Sequence, residues 1–165
     1  MARDTLKALA KRAGTRLKRR NLKLATAESC TGGWIAQAVT SVSGSSGWFD
    51  RGFVTYSNEA KKELLGVRAR TLSRHGAVSR ETAKEMAAGA LARSRAQVAI
   101  AVTGVAGPGG GTKAKPVGTV CFAWSRKRGA MESVTRYFRG GRDRVRRQSV
   151  VFALQGLLER LEETE

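Results

Sequence analysis

Apolar residues recur at helical spacing from the start of the chain. Leu6, Leu9, Ala10, Ala13 and Leu17 share one stripe with Lys and Arg opposite, which predicts an amphipathic helix over residues 4–17. The short apolar run Leu22 to Ala27 follows, and helical spacing returns at Trp34, Ile35, Ala38, Val39 and Val42 before the loop Ser43 to Gly47. Strand, turn, helix is the expected order. GFVTYSN, Gly52 to Asn58, alternates like a strand, and EAKKELLG resumes helical spacing until Gly66 stops it. Ser79 reads as an N-cap with Glu81 in the first turn and Ala83, Met86, Ala87, Ala90 and Leu91 as the buried stripe. QVAIAVTG from Gln97 reads as a strand. The glycine-rich GVAGPGGGTKAKP separates it from VGTVCFAW and SVTRYF, which the turn residues Arg126 to Ala130 join into an antiparallel hairpin. Val145, Val150, Val151, Leu154, Leu158 and Leu161 mark a long terminal helix. The pattern predicts an α/β fold: a three-layer α/β/α domain with a mixed sheet that includes the hairpin.

A chain of 165 residues has the length of one ordinary domain, so residues 1–165 are expected to form one. Charges throughout MARDTLKALAKRAG argue against a secretory signal, and no apolar run approaches the ~18 residues of a membrane span. A soluble, cytoplasmic protein is the expectation. Cys30 and Cys121 form no CxxC pair, so neither a zinc site nor a disulfide framework is indicated, and Cys121 reads as a core residue. The formal charge of +18, from 31 Lys and Arg against 13 Asp and Glu, would attract nucleic acid, acidic lipid or a phosphorylated small molecule. The basic residues are scattered, with clusters at Lys18 to Arg20, Arg126 to Arg128 and Arg142 to Arg147 and few aromatics between them. That favours a generally basic surface over a dedicated nucleic-acid face, with nucleic acid left as a non-specific partner.

Ligands of such sheets collect where strands lead into helix N-termini. Three loops qualify: Glu28 to Gly33, Tyr56 to Lys61, and Thr103 to Thr112. The glycine loop fails the P-loop pattern, because Lys113 follows Thr112 and precedes Ala114. It fails the dinucleotide fingerprint too, since Gly109 and Gly111 lack the third small residue. It is either a backbone cradle for an anion or a plain flexible connection. In ATAESCTGG, Ser29 after a strand and before a helix can act as a nucleophile beside oxyanion-binding amides, or Ser29 or Thr31 can simply cap the helix from Gly32. Cys30 would need a histidine, and the only one, His75, sits beside Gly76 in an expected loop. Lysine is an alternative base when its ammonium is disfavoured. Lys61 and Lys62 begin a helix after the strand carrying Tyr56; the helix N-terminus and each other's charge would favour a neutral amine, and Tyr56 could orient it or relay a proton. The competing reading makes both lysines solvated helix residues.

AESCTGG, VTYSNEAKKELLGV, HGAVSRETAKEMAAGA, VTGVAGPGGGTKAKPVGTV and RYFRGGRDRVRRQ occur in the order and spacing of the CinA C-terminal domain family, which this chain resembles over nearly its whole length. The family's enzymes are nicotinamide-nucleotide amidohydrolases. The resemblance implies hydrolysis of nicotinamide mononucleotide to nicotinate mononucleotide and ammonia, in pyridine nucleotide salvage, with no metal or other cofactor. Its serine falls on Ser29, its lysine on Lys61, its tyrosine on Tyr56 and a further polar site residue on Thr103. As substrate-binding candidates the turn supplies Cys30, Thr31 and Gly32, the SGSS loop Ser45 and Ser46, the glycine loop Gly104, Gly107, Gly109 and Gly110, and the last segment Arg142. One departure stands out: Gly141 replaces the family's usual acidic residue, which deprives Arg142 of a partner. In many family members the domain is fused to an N-terminal molybdopterin-binding-like domain that this sequence lacks, so a stand-alone form is expected, and the resemblance also implies a homo-oligomer. The other readings are a basic nucleic-acid-binding module and a family member that binds pyridine nucleotide without turnover.

Overall fold

In the computed structural model, which describes residues 2–162, a five-stranded sheet runs in the order β2-β1-β3-β4-β5. β1 (Leu24–Glu28) lies parallel to both β2 (Phe49–Val54) and β3 (Val98–Gly104), while β4 (Thr119–Arg126) and β5 (Met131–Tyr137) form the antiparallel hairpin beside β3. Six helices cover the sheet: α1 (Ala2–Arg19), α2 (Trp34–Thr40), α3 (Asn58–Leu65), α4 (Ala69–His75), α5 (Arg80–Ala92) and α6 (Arg142–Glu162).

The period of two along β3 sorts its residues onto two cores. Val98, Ile100 and Val102 pack with the apolar stripes of α1, α2 and α6; Ala99 and Ala101 face α5 beneath α3. Strands buried on both faces read as continuous apolar runs, as β1 and β3 do. The α5 side is rich in small residues, with Ala25, Ala27, Ala99, Ala101 and Ala123 on the strands and Ala83, Ala87 and Ala90 on the helix, around the larger Met86 and Leu65. Gly89 lets α5 approach α3 closely, because a Cβ there would lie 1.9 Å from the Leu65 carbonyl oxygen. Gly89→Ala is therefore expected to be net destabilising by about 1–3 kcal/mol, because overpacking against backbone outweighs the ~1 kcal/mol by which Ala outranks Gly in a helix. Denaturant unfolding reads this directly, and an unchanged midpoint would contradict it.

Three local expectations need correcting. The strand expected at Gly52 to Asn58 is shifted: β2 leaves the ladder at Val54, which frees the Thr55 and Tyr56 carbonyls for other partners. α3 begins at Asn58 with Ser57 capping Ala60 N–H, so Lys61 lies within its first turn and a half rather than at its start. His75 closes α4, a helix with no apolar stripe to announce it and one buried residue, Thr71. No helix among the described residues is long and apolar enough to cross a membrane.

Candidate active site

β1, β2 and β3 all run toward the same edge of the sheet, so their carboxyl ends, Glu28, Val54 and Val102 to Gly104, converge there. Ser29 is the first residue beyond β1 and its N–H still bonds the Val102 carbonyl at 3.0 Å. The chain then turns sharply: Gly32 N–H returns to the Ser29 carbonyl, and Gly32 and Gly33 take positive φ, a conformation that disfavours a side chain.

Neither Ser29 nor Thr31 caps α2. Gly33 occupies the cap position without a side-chain bond, and the Glu28 carboxylate accepts from Ile35 N–H (2.8 Å), Ala36 N–H (3.1 Å) and the Thr31 hydroxyl (2.6 Å). Glu28 is buried, and loss of water raises its pKa above 4.5 while those bonds pull the other way. This carboxylate had no role in the sequence reading, although a charge ending the apolar run LATA was its visible signal. Ile35 and Ala36 amides are consequently unavailable to a developing oxyanion. The amides of Cys30 and Thr31, outside these bonds, are the ones left beside Ser29.

Lys61 comes from α3 to meet Ser29. Its Nζ lies 2.9 Å from Ser29 Oγ, 2.9 Å from the Thr55 carbonyl and 3.0 Å from the Tyr56 carbonyl, and the side chain is only 1% exposed. Burial pushes its pKa below 10.5, against an opposing influence from Cys30. The expected contribution of Lys62 is absent: Lys62 points to solvent beside Glu59, 3.7 Å away. A neutral amine has two hydrogens and one lone pair. In that form the two carbonyls would take the hydrogens and leave the lone pair for the serine hydroxyl, whereas the amine as placed donates to Ser29 Oγ. Cys30 is no rival, since burial pushes its thiol up to about 12, where no thiolate forms at neutral pH.

A cleft of ≈ 230 Å³ opens on this pair, lined by Ser29, Cys30, Tyr56, Lys61, Thr103, Gly104 and Arg142, with the Ala77–Val78 segment opposite. Thr103 Oγ1 donates to the Ala77 carbonyl (2.8 Å), which ties β3 to the segment before α5. Tyr56 orients the lysine through its backbone carbonyl; its exposed phenol instead accepts from Arg142 Nη2 at 3.3 Å. Arg142 Nη1 donates to the Gly107 carbonyl (2.8 Å), so these two neutral acceptors stand where an acidic partner was missing at Gly141.

The remaining candidates divide. Thr31 is buried and spends its hydroxyl on Glu28, while Gly32 is exposed at the turn. Gly107 reaches the site through its carbonyl, and Gly109 and Gly110 are exposed outside the cleft lining. Ser45 and Ser46 are not brought to the site. They lie in a 3-10 turn (Ser45–Gly47) where the parallel strands begin, next to the Leu24–Trp48 backbone bond, about 15 Å from Ser29 at ~3.3 Å per strand residue. Nothing in the sequence singles out Arg146 within the arginine cluster 142–147. Four residues after Arg142, and so on the same helical face, it donates to the Cys30 (3.1 Å) and Thr31 (3.3 Å) carbonyls and lies over Trp34.

The family model described as CinA C-terminal domain matches residues 6–161. The nicotinamide-nucleotide amidohydrolase PncC of Escherichia coli strain K12 is 53% identical over 159 residues, covering 95% of each chain. Its Pseudomonas putida counterpart is 52% identical over 156 residues, covering 94% of this chain and 97% of that one. Among solved structures, the competence/damage inducible protein CihA from Agrobacterium tumefaciens superposes with a TM-score of 0.92 at 50% identity, covering 96% of both chains. The competence damage-inducible protein A from Klebsiella pneumoniae gives 0.93 at 42% identity, covering 97% of this chain and 99% of that one. With a family model spanning nearly the whole chain and relatives above half identity end to end, this protein belongs to the CinA C-terminal domain family.

Proposed function

We propose that the protein hydrolyses the carboxamide of nicotinamide mononucleotide, giving nicotinate mononucleotide and ammonia. The observation that carries this reading is the buried 2.9 Å contact between Lys61 Nζ and Ser29 Oγ, with the other two Nζ positions taken by backbone carbonyls. The relatives are named as nicotinamide-nucleotide amidohydrolases, which supports the same class of substrate. Measured ammonia release from nicotinamide mononucleotide by purified protein tests it; no release would end it.

The chemistry follows from the groups present. Neutral Lys61 takes the Ser29 proton, and the oxygen attacks the amide carbon. The Cys30 and Thr31 amides meet the oxyanion. Lys61 then returns the proton to the departing nitrogen, the C–N bond breaks, and ammonia leaves an ester on Ser29. Water, with Lys61 again as base, cleaves that ester to the carboxylic acid and restores the serine. Thr103 and the Tyr56–Arg142 pair border the cleft and are assigned to holding the pyridine nucleotide. Because the Cys30 thiol is buried and protonated, Cys30→Ala is expected to keep kcat within about threefold; ~10³-fold loss would instead make sulfur the nucleophile.

A further inference from the structure

Thr103, Cys121 and Thr135 are register partners on β3, β4 and β5, side by side on the face covered by α5. Two strand spacings carry this row about 10 Å from Thr103 to Thr135. Above its far end lies a second cleft, of ≈ 360 Å³, floored by Cys121 and Thr135 and rimmed by Arg74, Arg80 and Lys115. Val78 lines both this cleft and the catalytic one, so the two share a wall. Its one carboxylate, Glu81, lies 3.8 Å from His75 Nδ1. Among the described residues no ion pair engages Arg74, Arg80 or Lys115; Lys115 Nζ donates to the His75 carbonyl. Burial pushes the Cys121 thiol above its ordinary pKa, and its Sγ lies 3.5 Å from the Thr135 hydroxyl on the floor of this cleft.

The catalytic cleft, at ≈ 230 Å³, is smaller than the roughly 300–1,000 Å³ of pockets that enclose a whole small ligand, so a nucleotide must extend beyond it. Toward Arg142 it meets a guanidinium already bonded to the Gly107 carbonyl and the Tyr56 hydroxyl. Across Val78 it meets an excess of cations without carboxylate partners. Resting on the deamidase reading above, we propose that the cleft rimmed by Arg74, Arg80 and Lys115 seats the phosphate of the mononucleotide whose amide lies at Ser29. This makes the phosphate a specificity element recognised by the α4–α5 corner and the loop after the glycine run, opposite the loop of Ser45 and Ser46.

Arg74→Gln and Arg80→Gln, both at exposed positions, test the assignment. Each is expected to raise KM for nicotinamide mononucleotide roughly tenfold, the worth of one charge-assisted hydrogen bond, with kcat within about twofold. Calorimetric affinity for nicotinamide riboside, which lacks the phosphate, should be the same in wild type and variants. An unchanged mononucleotide KM in both variants overturns the proposal, as does an equal loss for the riboside. If wild type releases no ammonia, the deamidase reading falls separately, and calorimetric titration with the mononucleotide decides the phosphate seat: roughly tenfold weaker binding by the variants supports it, and equal or absent binding overturns it.

Discussion

Ser29→Ala is expected to abolish ammonia release, lowering kcat on the order of 10⁴-fold or more, because a nucleophile acts as a unit with its base and its loss removes the covalent route altogether. The substitution is structurally mild. Ser29 is 7% exposed, and its hydroxyl bonds only Lys61 Nζ and, at 3.4 Å, the Tyr56 carbonyl. Lys61 keeps its two carbonyl partners, so the melting point should move by the equivalent of about 1 kcal/mol or less. Calorimetric affinity for nicotinamide mononucleotide should stay within a few-fold. Turnover within tenfold of wild type, with folding and binding intact, would remove Ser29 from the chemistry.

Lys61→Met is expected to lower kcat about 10²–10⁴-fold, the usual worth of a positioned general base. The wild-type pH profile should show why. The base must be neutral, so kcat/KM rises as pH rises through the folded-state pKa of Lys61, which burial places below 10.5. Stability carries the same signature with a definite sign. Between that depressed value and 10.5 the unfolded chain binds a proton that the folded chain does not, so unfolding free energy from this group increases with pH across the window and is level outside it. Lys61→Met removes both the rising limb of activity and this contribution to stability. A wild-type rate that is flat or falling with pH up to 10.5 would contradict a neutral lysine base.

Most of the architecture was legible along the chain. The run VAIAVTG buries both faces of its strand and the helical stripes of α1, α5 and α6 each bury one, and local pattern decides structure where burial is that regular. α4 was not legible, because ARTLSRH has no apolar stripe and is held by Thr71 and the bonds from Arg68 and Thr71 to Glu85. At the site, residue type set Ser29 apart from Cys30, for which the chain offers a single histidine, while only the family resemblance set Lys61 apart from Lys62. The physical reason Lys61 is set apart was not legible, since it is the depth of its burial rather than its neighbour's charge.

Residue order alone determined that a serine follows one short strand and that a lysine stands early in the helix after the next. Those are local properties, set by periodicity and turn chemistry within a few positions. Only the tertiary structure decided which backbone groups face which side chains. It assigned the α2 amides to Glu28 and not to an oxyanion, and the Tyr56 carbonyl rather than its phenol to Lys61. It sent Ser45 and Ser46 to the far edge of the sheet and brought Arg142 and Arg146, from the other end of the chain, onto the turn and loops around Ser29. Such choices depend on strand direction and register, which are set jointly by all five strands and their helices and so cannot be read from any one segment.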